Sequence, residues 1–400
     1  MKTLVGALRD ADFLTAERAT AWCRILALAP LLLLAAGATW LVLSGGSPAD
    51  PSGKPVGTDF INMYGASVAA LSGNAAGAYD PAIHHAIQTR VIGVDSPDYF
   101  AFHNPPPYLF AVLPLALLPY IPALLAWIAL TGTAYAVVIA RIMGDGATRL
   151  PLLAFPAVFV NIGHGHNGLL SAALFGAAAL CLDRRAVSAG IAIGLLCYKP
   201  QLAVLAPVAL AAAARWGAFF SAAATVIGLA LLSLLAFGVE TWNGFTALGA
   251  LTMDALEQGL AGPGKIQSTF AAVRLFGGSV ALAYALHGIV VLVAAVAIAR
   301  AARRADGLAL GAMIAAGGAL ASPYIYDYDL AILAVPLAYV FREARLSGTF
   351  LPWEKTVLGL CFLLPLVARM LSMNLYLPVT PPLVACLLAV VIRRSRATLR

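Results

Sequence analysis

Charge is scarce in this chain. Only 11% of its 400 residues are Asp, Glu, Lys or Arg, against about a quarter in a soluble domain. By contrast 62% are hydrophobic and the mean hydropathy is +0.89. No water-soluble fold has an interior for that much apolar surface, which excludes a soluble enzyme or binding module. Cysteine is also scarce, and Cys23, Cys181, Cys197, Cys361 and Cys386 lie in or beside apolar runs. They read as small core residues, neither a disulfide framework nor a zinc site. Metal-ligand spacing is missing from the His, Asp and Glu positions as well, so no metal and no other cofactor is expected.

What the chain has is long hydrophobic runs, and a transmembrane helix needs about 20 mainly apolar residues. Apolar runs between breakers predict spans near 24–44, 105–141, 150–163, 167–182, 186–199, 201–214, 216–237, 279–300, 307–321, 325–341, 353–371 and 375–392. The expected fold is an all-α polytopic membrane bundle of about 12 crossings forming one integral membrane domain over 1–400, some crossings being half-helices or paired pieces. The run 105–141 is too long for one span, and Pro114, Pro119 and Pro122 divide it into a short surface or re-entrant helix and a crossing. The first run, Ile25 to Leu43, follows a basic amphipathic start at 1–23 carrying Arg9 and Arg18. It is longer than a signal-peptide core and reads as a retained anchor.

Charge placement sets an orientation. With the N-terminus cytoplasmic, 19 of the 25 basic residues fall inside, including the tail at 393–400, and six fall outside: Lys54, Arg90, Lys199, Lys265, Arg274 and Arg369. Ten of the 18 acidic residues fall outside, Asp95 among them, so the outer side is net −4 and the inner side net +11. This is the positive-inside pattern. It puts both termini in the cytoplasm of a multi-pass plasma-membrane protein and accounts for the net charge of +7 without nucleic acid. Inner loops are short. Two outer segments, 45–104 and 238–278, are long and rich in aromatics, which argues for order and for function.

Polar residues gather on that outer side in five clusters: Thr58-Asp59-Phe60-Ile61-Asn62 with Tyr64; Phe102-His103-Asn104 followed by three prolines and Tyr108; Asn161 to Gly168; Tyr198-Lys199-Pro200-Gln201; and Ser322 to Asp329. Each has a simpler account. Asp59 suits the cap of a helix starting at Phe60, and Asp327 with Asp329 suits a cap before Leu330. The pair His164 and His166 suits helix punctuation, and Lys199 suits snorkelling to the interface. Gly190 and Gly194 read as a helix-packing motif. Caps and interfacial belts would be spread over both faces, whereas these groups are concentrated on one. A carboxylate near a lysine and imidazoles, at the mouth of a lipid-facing cavity, suits group transfer from a lipid phosphate. The base takes a proton from an acceptor hydroxyl, and cations steady the departing phosphate.

The order of TDFINMYGAS, HNPPPYLFAVLPLALLPY, GHGHNGLLSAALFGAAAL, GLLCYKPQLAVLAPVAL and ASPYIYDYDLAIL, between about Asp59 and Leu337, resembles the GT-C membrane glycosyltransferases. Within them it resembles glycosyltransferase family 87, the polyprenol-phosphate-mannose-dependent alpha-mannosyltransferase group. The resemblance implies a GT-C-type bundle and an inverting transferase. It moves a hexose, mannose foremost, from a polyprenyl phosphate to a glycan or glycolipid hydroxyl on the periplasmic or extracellular face. The general base of such an enzyme corresponds to Asp59. This chain has His166 where the family often has Gln, and Tyr326-Asp327-Tyr328 where many members have Trp-Asp-His.

For the donor phosphate the first expectation is Lys199, then Lys265 and Arg274, with His103 a further contact. Sugar and acceptor contacts are expected from Asn62, Tyr64, Asn104, Tyr108, His164, His166, Asn167, Gln201, Tyr326, Asp327 and Asp329. Membrane lipids are the remaining partner. Two readings from other classes stay open: a transporter or flippase of lipid-linked sugars, and a non-catalytic envelope-assembly subunit. A transporter wants polar groups at mid-span, and the stretches 202–214 and 290–298 are almost wholly apolar.

Overall fold

The computed structural model describes residues 2–94, 98–260, 262 and 264–397; Asp95 and Arg400 of the charge pattern lie outside them. Among the described residues there is no strand, and the helices of nine or more residues are α1 Lys2–Asp10, α2 Ala16–Leu43, α3 Phe60–Leu71, α4 Pro81–Ile92, α5 Tyr120–Met143, α6 Pro156–His164, α7 Gly168–Cys181, α8 Ala186–Gly194, α9 Trp216–Phe237, α10 Val239–Glu257, α11 Val280–Ala302, α12 Gly307–Ala321, α13 Ala334–Ser347, α14 Glu354–Leu375 and α15 Thr380–Ala397. Among them α2, α5, α9, α11 and α14 are long and apolar enough to cross a membrane. Their exposed large side chains are mostly Leu, Ile, Val and Phe, as lipid contact requires.

Breaks fall where proline dictates. The run from Pro106 to Leu117 is a string of short helical turns, and α5 begins after Leu118 and Pro119, both extended. Phe155 is held extended (φ −64°, ψ 116°) before Pro156, so the turn Leu150–Ala154 and α6 are separate pieces. Both long connecting segments are ordered over much of their length: α3 and α4 lie in the first, and α10 with Thr269–Leu275 in the second.

The centre of the bundle is α12, in which every residue but Leu308 is buried. Small residues allow the helices to approach closely. A Cβ at Gly190 would fall 1.8 Å from Ser221 Oγ, and one at Gly194 2.5 Å from Thr225 Cβ, so the glycine pair of α8 is the seat of α9. All five cysteines are free.

The two ends of the bundle differ in chemistry. At one end Arg394 is buried against Glu354, Asp183 pairs with Arg215 at 2.5 Å and caps Gly307, and Arg342 and Arg345 donate to the carbonyls of Ile142 and Met143. The backbone of Trp353 donates to Arg9 at that same end, tying α1 to α14. The opposite end holds Asp59, His164, Lys199, Asp327, Asp329 and Arg369.

Candidate active site

Asp59 occupies the cap position of α3, but its backbone is helical (φ −81°, ψ −17°) and its side chain makes no capping hydrogen bond. The capping account therefore fails, and the carboxylate is left for other work. Its backbone N–H donates to the His164 carbonyl at 3.0 Å, which docks the start of α3 on the end of α6. Its Oδ2 then lies 3.8 Å from His164 Nδ1, and Thr58 Oγ1 lies 2.7 Å from the same nitrogen. Burial raises the Asp59 carboxyl above the ordinary carboxylate range, while His164 and Lys199 pull it the other way.

The turn that presents His164 requires glycine. Gly165 has φ +59° and closes α6, and a Cβ there would meet Phe60 Cβ and Leu124 Cδ1 at 2.7 Å. Helix punctuation is thus the correct reading of Gly-His-Gly-His, and it is also the device that aims the two imidazoles. His166 stacks on Tyr328, with ring centroids 3.6 Å apart and planes at 25°. Burial holds it well below its ordinary pKa, with Lys199 and His164 acting in the same direction. Tyr328 stacks in turn on Tyr326 at 5.3 Å. The backbone of this loop is fixed by Asn161 Nδ2, which donates to the Tyr328 carbonyl at 2.9 Å.

Lys199 does not snorkel. It is 8% exposed, its Nζ donates to Asp329 Oδ1 at 2.5 Å, and it sits over the Tyr328 ring at 5.4 Å. Asp329 Oδ2 also accepts from the Tyr326 backbone, and Asp327 accepts from the Tyr328 backbone, so both carboxylates shape the turn Tyr328–Leu333. The capping account holds for Asp327, with the helical turn starting at Tyr328 rather than at Leu330, while Asp329 lies within the turn. Asp327 Oδ2 faces Arg369 Nη1 at 3.8 Å.

A cleft of about 480 Å³ opens beside this cluster between α2, α6 and α14. His164, Asp327, Arg369 and Asn374 form its polar part, and Leu33, Pro365, Leu366 and Met370 are among its apolar walls.

The other expected contacts divide by place. Tyr108 and Tyr198 stack at 4.6 Å, Asn167 donates to the Tyr108 hydroxyl, and Asn104 donates to the Tyr198 carbonyl. This buried network pins the first long segment to the bundle beside Lys199. Tyr64 donates to Leu118 and supports the loop from beneath. Asn62 is half-buried in the first turn of α3, its carbonyl 3.0 Å from His84 Nε2, and Gln201 is half-buried in the short turn after Pro200. His103 is exposed, with Nδ1 3.0 Å from Thr252 Oγ1 on α10. Lys265 is exposed, and Arg274 is spent on the carbonyls of Glu257 and Gly278. Sequence reasoning passed over Thr58 and Arg369 as site residues. The signal for Arg369 was present, since it is a basic residue within an apolar run at the acidic end.

A family model, glycosyltransferase family 87, matches residues 102–323, more than half of the chain. The matched stretch holds His103, His164, His166 and Lys199; Asp59 precedes it, and Asp327 and Arg369 follow it. No curated protein and no solved structure matches the chain.

Proposed function

The chain belongs to glycosyltransferase family 87 and is accordingly an integral membrane glycosyltransferase; from that, we propose that it transfers a hexose, mannose foremost, from a polyprenyl phosphate to a hydroxyl of a glycan or glycolipid. The reaction runs on the outer face of the plasma membrane, in a bundle of about twelve crossings with both termini in the cytoplasm. Support for the sidedness comes from the segregation of Arg9, Arg215, Arg342, Arg345 and Arg394 to one end and the Asp59 cluster to the other.

The observation that carries the reading is the uncommitted carboxylate of Asp59, 3.8 Å from His164 at the edge of a cleft with an apolar wall. Asp59 takes the proton of the acceptor hydroxyl as the hydroxyl oxygen bonds to the anomeric carbon. The carbon–oxygen bond to phosphate breaks, its electron pair stays on the phosphate, and attack from the opposite side inverts the configuration. A phosphate needs no general acid to depart, but it gains from cations preorganised around it. His164, hydrogen-bonded to Thr58, holds the acceptor side. The Tyr326–Tyr328–His166 stack offers flat apolar faces beside polar edges, a surface suited to a sugar ring.

The test is an assay of the purified protein with a panel of polyprenyl-phosphate sugars, reading out released polyprenyl phosphate and the new glycoside. Transfer from at least one such donor is expected. Movement of lipid-linked sugar across liposomes with no new glycosidic bond overturns the reading in favour of transport.

A further inference from the structure

Two basic residues at the acidic end of the bundle compete for an anionic ligand, and their surroundings separate them. The ammonium of Lys199 is closed in by Asp329 Oδ1 at 2.5 Å and by the Tyr328 ring, with the paired side chains only 9% and 5% exposed. An anion reaching it would have to displace a buried carboxylate, which costs more than it returns. Arg369 is the opposite case. Its side chain is 40% exposed, its one ion pair among the described residues is the loose 3.8 Å contact to Asp327, and it lies in the wall of the 480 Å³ cleft.

The rest of the cleft says what kind of anion fits. Beyond Arg369 and His164, the polar lining is Asp327, already facing the guanidinium, and Asn374, and the apolar walls include Leu33 of α2, Phe159 and Val160 of α6, and Pro365, Leu366 and Met370 of α14. The helix that supplies Leu33 is mostly exposed along its length and apolar enough to cross a membrane, so this side of the cleft faces lipid. A guanidinium at the polar end of a lipid-facing apolar slot is complementary to a phosphate carried on a hydrocarbon chain.

Resting on the transferase reading, we propose that the cleft between α2, α6 and α14 is the binding site of an isoprenoid phosphate, with Arg369 holding the phosphate and His164 beside it. Lys199 then serves as a positioning residue that locks Asp329 and the Tyr326–Tyr328 loop. The hydrocarbon lies along Leu366, Met370 and Leu33, with the phosphate at Arg369.

The test uses the full chain in nanodiscs and titrates sugar-free polyprenyl phosphate, reading binding through thermal stabilisation, with polyprenol, inorganic phosphate and dioleoyl phosphatidic acid as comparators. Polyprenyl phosphate alone is expected to stabilise the wild type strongly. Arg369→Gln, a partly exposed position, is expected to weaken that binding roughly tenfold or more, the loss of a charged hydrogen bond. Leu366→Trp, which fills the slot and leaves Arg369 in place, is expected to weaken it as well. Unchanged binding in both variants overturns the assignment while leaving the transferase reading intact. Stabilisation by phosphatidic acid equal to that by polyprenyl phosphate overturns the isoprenoid commitment. No binding of polyprenyl phosphate to the wild type overturns the donor reading itself.

Discussion

Asp59 Oδ2 and His164 Nδ1 lie 3.8 Å apart, although more than a hundred residues separate them in the chain. The contact joins a carboxyl raised by burial to a group whose charge opposes the rise. A general base acts only when ionised, so activity is lost as the pH falls through the folded pKa, and that pKa lies above the ordinary value near 3.9. The acid limb of the pH profile of kcat/KM is expected at higher pH than an ordinary carboxylate gives. Replacing His164 with Ala removes a lowering influence and should move the limb further up, with Lys199, Asp327 and Asp329 still facing the group. Rates that stay level through the ordinary carboxylate range would contradict this.

The stability consequence of the same shift has the opposite sign from that of a salt-bridged acid. Because the folded pKa is raised, the native state binds more protons than the unfolded one between the ordinary and the raised value, and stability falls as pH rises through that window. Asp59→Asn is therefore expected to leave the thermal midpoint at neutral pH unchanged or higher. A large drop would show that the carboxylate is structural.

Lys199 and Asp329 form a buried pair, and removing one partner leaves an uncompensated charge. Lys199→Ala is expected to cost about 3–5 kcal/mol, seen as a lower midpoint in detergent. The double variant Lys199→Met with Asp329→Leu should recover much of that stability without recovering activity, because the Tyr326–Tyr328 loop loses its anchor. Full stability in Lys199→Ala would remove the pair from the account.

The seam between α8 and α9 gives a test of the fold away from the site. Gly194→Leu must push its side chain into Thr225 and the Ala222 carbonyl, and overpacking of this kind costs about 1–3 kcal/mol. The same substitution at Gly228, where no atom lies within 4 Å of an added Cβ, should have little effect on the midpoint.

Helix positions were largely legible in the sequence because apolar runs and their breakers are local signals. The spans read at 216–237 and 307–321 coincide with α9 and α12 at both ends. The proline-broken run after residue 105 and the glycine seat of α8 were readable for the same reason. Of the site, the residue types and their common end of the bundle could be read. Their pairings could not, since Lys199 with Asp329 and Arg369 with Asp327 are joined only by the packing of helices distant in sequence. A cap and a free carboxylate also share the same residue pattern at Asp59, and only backbone angles and hydrogen-bond partners distinguish them.

Sidedness is checked by single cysteines in a background with the native cysteines replaced. Ser52→Cys and Thr349→Cys are both at exposed positions, one on each end of the bundle. An impermeant maleimide added to intact cells is expected to label position 52 and to spare position 349. The reverse pattern would overturn the orientation.

The central claim is that Asp59 takes the proton of the acceptor. Its most direct measurement is the single-turnover rate of hexose transfer from a polyprenyl-phosphate donor by wild type and Asp59→Asn, both reconstituted in liposomes and matched for donor binding. Loss of a general base predicts a fall of roughly 10²–10⁴-fold with donor binding unchanged. A variant that transfers at the wild-type rate would contradict the account.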